Sequence, residues 1–160
     1  MADVHLRPMH AKEYSAWYER TVADYAKDHV GAGNWSEAEA PELSRKEFEA
    51  LLPEGTRSPG QHLYTITDAE SEDAVGMVWF AERGAPEPPQ AFIYNIEIDA
   101  TQRGKGYGKA TMLALESEVR ALGLHRIGLH VFGHNETAIR LYERSGYRTT
   151  NILMAKDLAE

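Results

Sequence analysis

The chain of 160 residues contains no cysteine. That absence excludes a thiol nucleophile, thiolate-ligated zinc, iron–sulfur clusters and any disulfide framework. No stretch approaches 18 apolar residues, so nothing reads as a membrane span, and residues 1–8 lack the apolar run of a secretory leader. Positive charge is scarce: 17 Lys+Arg stand against 25 Asp+Glu, a formal net charge of −8. Such a surface repels phosphate backbones and anionic lipids, which argues against nucleic acid or a membrane as partner. There is no internal repeat and no low-complexity tract. What remains is an ordinary globular composition, 42% hydrophobic and 26% charged. The length suits a single domain over residues 1–160 that folds without a staple. The expected location is the cytoplasm.

Periodicity supplies the elements. Tyr14, Trp17, Tyr18, Val22, Tyr25 and Ala26 fall at helical spacing and predict a helix over 11–30 whose aromatic stripe is core. A second helical region is interrupted by Pro41 and ends before Pro53; Ser36 with Glu39, and Ser44 with Glu47, are spaced as capping boxes. Residues 62–67 and 74–81 read as an antiparallel hairpin across the acidic turn 68–73. A loop with Pro86, Pro88 and Pro89 leads to a third strand, 91–98. A helix over 108–122 presents Met112, Leu115, Val119 and Leu122 on one face. A strand over 126–132, a helix over 137–145 capped near Asn135 or Glu136, and strands over 147–151 and 153–158 complete the chain. The order implies an α/β fold on a mixed sheet, not a doubly wound parallel one.

Chemistry concentrates between strand 91–98 and the next helix, in Gln102-Arg103-Gly104-Lys105-Gly106-Tyr107-Gly108-Lys109. Alternate glycines allow close backbone approach, and a helix N-terminus offers free N–H groups to an anion. Arg103, Lys105 and Lys109 set three cations in an otherwise acidic chain. Together they describe a diphosphate cradle. The spacing G-x-G-x-G departs from the dinucleotide fingerprint, and Gly104 to Lys109 is one residue short of a nucleotide-hydrolase phosphate loop and is followed by Ala110.

Arg103-Gly104-Lys105-Gly106-Tyr107-Gly108 resembles the R/Q-x-x-G-x-G/A signature of the GNAT superfamily of acyl-CoA-dependent N-acetyltransferases. Ile93 to Ile98 resembles the family's central strand, and Leu129 to Asn135 its neighbour. Asn135, Ala138, Leu141-Tyr142-Glu143 and Ser145-Gly146-Tyr147 match N-x-x-A-x-x-L-Y-E-x-x-G-F/Y, with Met154 and Lys156 in the closing strand. The match is dense over residues 91–158 and follows only element order over the first 60.

The resemblance implies a GNAT fold: a mostly antiparallel sheet with a splayed central strand pair and helices on both faces. It implies acetyl-CoA as donor, with pantetheine lying along Ile96 and Ile98 as an added strand. The diphosphate would rest on the N–H groups of Arg103, Gly104, Lys105, Gly106, Tyr107, Gly108 and Lys109, with Asn135, Ala138 and Tyr142 also at the cofactor. An N–H near Ile98 would polarise the acyl carbonyl while an amine attacks the thioester directly. Tyr142 matches the tyrosine that the family sets beside the sulfur, as acid or orienting donor. The family's habit also allows a homodimer.

An alkyl amine of pKa about 10.4 is mostly protonated near neutrality, so a base is needed. Glu97 is the sole carboxylate of strand 91–98, and half-burial can raise such a group's pKa. Strict alternation sets Glu97 with Asn95, opposite Phe92, Tyr94, Ile96 and Ile98. Relatives that carry a strand-borne base have it where this chain has Phe92 or Tyr94. His130 or His134 through water, or solvent alone, stay open beside Glu97. The histidines His125, His130 and His134 lack the spacing of a zinc helix, and no metal is expected. No G-x-S-x-G elbow supports a hydrolase. The expected acceptor is an amine of a small molecule or peptide, bound by the N-terminal helices and the Pro86–Pro89 loop. The alternatives are a protein lysine or N-terminal acetyltransferase, and a non-catalytic acyl-CoA-binding sensor.

Overall fold

The computed structural model describes residues 2–85 and 87–159; Pro86, part of the expected acceptor loop, lies outside them. Strand β1 (Val4–Pro8) precedes helices α1 (Ala11–Gly31) and α2 (Ala40–Leu51). Strands β2 (Gln61–Asp68), β3 (Ala74–Arg83) and β4 (Gln90–Ile98) follow. Helix α3 (Tyr107–Ala121), strand β5 (Ile127–Leu129) and helix α4 (Glu136–Arg144) complete the regular elements. The sheet runs β1-β2-β3-β4-β5, antiparallel throughout except for the parallel pair β4–β5. This is the expected α/β architecture.

Each face of the sheet buries its own apolar cluster. Trp17, Phe48, Leu63, Met77 and Trp79 pack beneath α1 and α2, with the two indoles edge to face at 5.5 Å. Ile66, Val78, Phe80 and Ile93 meet Met112, Leu115 and Val119 of α3 on the other side. Leu122 is 40% exposed, so the apolar stripe of α3 ends one turn earlier than its spacing suggests. Pro41 begins α2 rather than interrupting a helix, because its missing N–H would be unpaired in the first turn anyway. Ser36 Oγ does accept from the Glu39 N–H at 3.3 Å. Ser44 is no cap: buried, it donates to the Val22 carbonyl at 2.6 Å and ties α2 to α1. Among the described residues no helix is long and apolar enough to cross a membrane.

The chain ends depart from the sequence reading. Residues 4–8, unassigned by periodicity, form β1, and Arg7 clamps Glu13 of α1 through two 3.0 Å hydrogen bonds. That guanidinium holds the Glu13 carboxyl down at about 2. The strand expected over 126–132 pairs only at Ile127–Leu129. The strands expected over 147–151 and 153–158 do not form: residues 148–159 have no regular structure and are exposed throughout. A strand forms only where a neighbour supplies its hydrogen bonds, and residues 148–159 pair with no strand among the described residues.

The register of β4 carries the largest correction. Trp79 pairs with Asn95 and Phe80 with Ile93, leaving Tyr94 as an extra, bulged residue. A bulge shifts the alternation by one. Tyr94 therefore joins the cluster under α1 and α2, stacked on Trp79 at 4.6 Å, while Ile93 and Ile96 both face α3. Tyr94 and Glu97 thus share the α1 face, rather than lying on opposite faces.

Gly76, opposite Ile98, matters for the same strand pair. A Cβ there would overlap the backbone carbonyl of Glu97. Backbone cannot swing aside as a side-chain end can. Gly76→Ala is expected to cost about 1–3 kcal/mol, lowering Tm by about 2–4 °C per kcal/mol in a melting scan. An unchanged Tm would contradict this packing.

Candidate active site

Strands β4 and β5 pair at Ala91–Ile127, Phe92–Gly128 and Ile93–Leu129, and then part. The separation begins at the bulge. Beyond it the Asp99 N–H donates to the Val75 carbonyl at 2.8 Å. In an antiparallel ladder that fixes the phase, so Glu97 and Asn95 bond to β3, while Ile96 and Ile98 turn their N–H and C=O groups away from it. The far half of β4 thus has a free polar edge inside a V-shaped slot, as expected for Ile96 and Ile98. Arg103 Nε already donates to the Ile98 carbonyl at 3.0 Å.

The loop below the slot is shaped by two glycines. Gly104 and Gly106 have φ of +76° and +90°, a region that costs an L-residue about 1–2 kcal/mol. Gly106 is the N-cap of α3 and supplies no side chain to its first N–H groups; no acid sits in that turn. Among the described residues, none of the backbone N–H groups from 103 to 109 donates to a backbone or side-chain acceptor. Seven such donors at the positive end of a helix dipole form an anion nest. Arg103, Lys105 and Lys109 are exposed and form no ion pair among the described residues. Tyr107 serves differently from its neighbours: its hydroxyl donates to Asp68 Oδ2 at 2.6 Å and pins α3 to the β2–β3 turn. That bond, with the Ser71 and Glu70 N–H groups, holds the Asp68 carboxyl down at about 2.

Helix α4 stands beside this loop, since Leu141 reaches within 3.3 Å of where a Gly108 Cβ would lie. Asn135 Oδ1 accepts from the Ala138 N–H at 3.2 Å, so the two motif residues form the helix cap. Tyr142 packs against the α3-side cluster, as Ile96 and Ile98 do, with its ring 5.8 Å from Tyr147. Burial pushes its phenol up to about 12, and its hydroxyl makes no hydrogen bond among the described residues. It is a protonated group with a free donor.

The α1 face of β4 is polar at the slot. Glu97 Oε2 lies 3.6 Å from an Arg20 guanidinium nitrogen, and the Trp17 Nε1–H donates to Asn95 Oδ1 at 3.2 Å. An open pocket of about 150 Å³, lined by Trp17, Arg20, Met77 and Asp99 among others, adjoins them. Arg83 lies 3.6 Å over the Phe92 ring and donates to the Tyr94 hydroxyl at 2.7 Å. His134 is turned to Asp28 at 3.3 Å, and His130 is exposed, edge-on to Phe132 at 5.0 Å.

The family model described as Acetyltransferase (GNAT) family matches residues 15–147. The chain belongs to this family. The Bacillus subtilis uncharacterized N-acetyltransferase YycN is 39% identical over 155 residues, covering 96% of this chain and 97% of that protein. The crystal structure of YycN superposes with a TM-score of 0.90 over 98% of this chain and 99% of that one, at 38% identity. The mycothiol acetyltransferase of Rhodococcus erythropolis is 29% identical over 79% of this chain but only 40% of its own length. The chain is thus an acetyltransferase by family, and its sheet, loop and splay are those of a GNAT fold.

The glycine–cation loop, the outer edge of Ile96 and Ile98, and Tyr142 lie around one slot, and two contacts beside them have no signal in the sequence. Arg20 pairs with Glu97 across 77 residues, and Asp68 anchors Tyr107 across 39. No local spacing signals either contact. The Arg83 stack on Phe92 joins β3 to β4 and was likewise not foreseen.

Proposed function

We propose that the chain moves an acetyl group from acetyl-CoA to a primary amine of a small molecule or peptide. Attack is direct, within a ternary complex in the cytoplasm, and one domain over residues 1–160 carries it. The observation that carries this reading is the run of seven unpartnered N–H groups at 103–109 continuing into the free edge at Ile96 and Ile98. These residues fit acetyl-CoA: donors and cations suit a diphosphate, and a free strand edge suits an amide-bearing arm. When bound, the cofactor supplies an activated thioester.

The protein's own groups divide the remaining work. Ile96 would offer its N–H and C=O to the cofactor's amides, and Arg103, which donates to the Ile98 carbonyl, would be among the cations that hold the diphosphate. Asn135 and Ala138 fix the start of α4 and hence where Tyr142 points. Tyr142 would direct its hydroxyl proton at the departing sulfur, as acid or as orienting hydrogen-bond donor. Glu97, oriented by Arg20, takes the proton of the amine directly or through water.

Thermal shift and coenzyme A release across a broad amine panel test this together. Acetyl-CoA at 100 times its Kd is expected to add about 2.7 kcal/mol of stability, with release of coenzyme A for one class of amine. Mass spectrometry of acetylated peptides separates a peptide or protein acceptor from a metabolite. Stabilisation without turnover on any amine would leave a binding module. Absence of stabilisation by any acyl-CoA would overturn the reading altogether.

A further inference from the structure

Two ion pairs on α1 are built differently. Arg7 meets Glu13 with two parallel hydrogen bonds of 3.0 Å, which use both carboxylate oxygens and saturate the pair. Arg20, farther along α1 than Glu13, comes only to 3.6 Å of Glu97, too far for a hydrogen bond, and its side chain is 49% exposed. Its donors are left for another acceptor. Among the described residues Arg20 is the one cation on the lining of the open pocket of about 150 Å³.

That pocket lies against the part of β4 whose outer edge borders the slot, since its lining residues Gly76 and Met77 pair with Ile98 and Glu97. Trp17 and Met77 make part of it apolar, and Asp99 adds a carboxylate that forms no ion pair among the described residues. With Glu13 neutralised by Arg7, the charges free to meet a ligand are Arg20, Glu97 and Asp99. A plain ammonium brought to Glu97 would stand beside the like charge of Arg20. An ammonium with a carboxylate on the next carbon avoids this, because the carboxylate meets Arg20. In an α-amino acid the nitrogen and the carboxyl carbon are about 2.5 Å apart, a short span that suits two protein charges 3.6 Å apart. The four charges then alternate in sign.

We propose that the acceptor is a free α-amino acid: Arg20 holds its carboxylate through the guanidinium fork, Glu97 receives its ammonium, and its side chain enters the pocket beside Trp17 and Met77. The inference rests on the acetyl transfer proposed above, at the same Glu97, and names its substrate class. It sets peptides and proteins aside. A peptide's N-terminal amine has a neutral amide where the carboxylate would be, and a protein lysine has no anion next to its amine. Either would leave Arg20 facing a lone ammonium. Arg20 thus decides which amine enters, besides orienting Glu97.

Isothermal titration near neutral pH, with no acyl donor present, reads binding apart from turnover. The pairs L-leucine and isoamylamine, L-lysine and cadaverine, and L-tyrosine and tyramine each differ only in the α-carboxylate. In at least one pair the acid should bind at least about tenfold tighter than the amine. Arg20→Gln should invert that order, because Glu97 and Asp99 then act on the ammonium unopposed. Arg20→Lys keeps the charge without the fork and should keep part of the preference. No preference for the acid in any pair overturns the inference, as does a preference that survives Arg20→Gln. Coenzyme A release on adding acetyl-CoA then tests the reaction separately. The expected preference without release upholds the ligand class and removes the transfer. Release with the amines as fast as with the acids upholds the transfer and overturns the inference.

Discussion

Tyr142→Phe should lower kcat by about 100-fold, the lower end of what a positioned acid contributes, while the Kd for acetyl-CoA changes by less than about twofold. The modest factor follows from the leaving group: a thiol of pKa about 8.5 departs more easily than an alkoxide, so protonation helps without being indispensable. The fold should tolerate the change, because the Tyr142 hydroxyl bonds to nothing among the described residues and the ring stays. The pH profile adds an independent reading. With the phenol raised to about 12, the acid form persists across the whole alkaline range and is lost only above it. The free enzyme should therefore show no descending limb in kcat/KM from this residue between pH 8 and about 11, where an unburied phenol of pKa about 10 would give one. Equal turnover in Tyr142→Phe would show that the sulfur leaves unaided.

The second large effect is at Gly106. Gly106→Glu should remove the acetyl-CoA thermal shift and raise the KM for acetyl-CoA by at least about 100-fold, by adding a like charge and a competing acceptor at a dipole end that favours anions. Backbone strain contributes as well, since φ there is +90°. Gly106→Ala separates the two causes. It carries the strain alone, its Cβ meeting Ala2 only at 3.5 Å, an ordinary contact. It should cost about 1–2 kcal/mol of stability for its φ, lowering Tm by about 2–4 °C per kcal/mol, yet keep part of the cofactor shift. A full shift retained in Gly106→Glu would show that the anion binds elsewhere.

These two sites were legible because their signals are local. A glycine–cation loop after a strand, and Asn135, Ala138 and Tyr142 at helical spacing, depend on neighbours in sequence. The bulge at Tyr94 was not legible. An aromatic residue in a strand looks the same whether the ladder continues or slips, and only the pairing of Trp79 with Asn95 and Phe80 with Ile93 reveals it. That one residue decided which side chains share the face with Glu97. β1 escaped notice because five residues with two charges or rings and one proline give periodicity too little to work with. The strands expected over 147–151 and 153–158 do not form, because a pattern specifies a face and not what covers it. The ion pair between Arg20 and Glu97 belongs with the same class of unseen contacts.

The parting of β4 from β5 has an entropic consequence. The opening is set by a bulge and three residue pairs within the folded chain itself. The edge that Ile96 presents is therefore preorganised: the protein need not order a segment to receive an extended amide chain, and only the incoming molecule loses freedom. Association should then proceed as a single encounter step, its rate linear in acetyl-CoA concentration, without the saturation that a slow opening would impose.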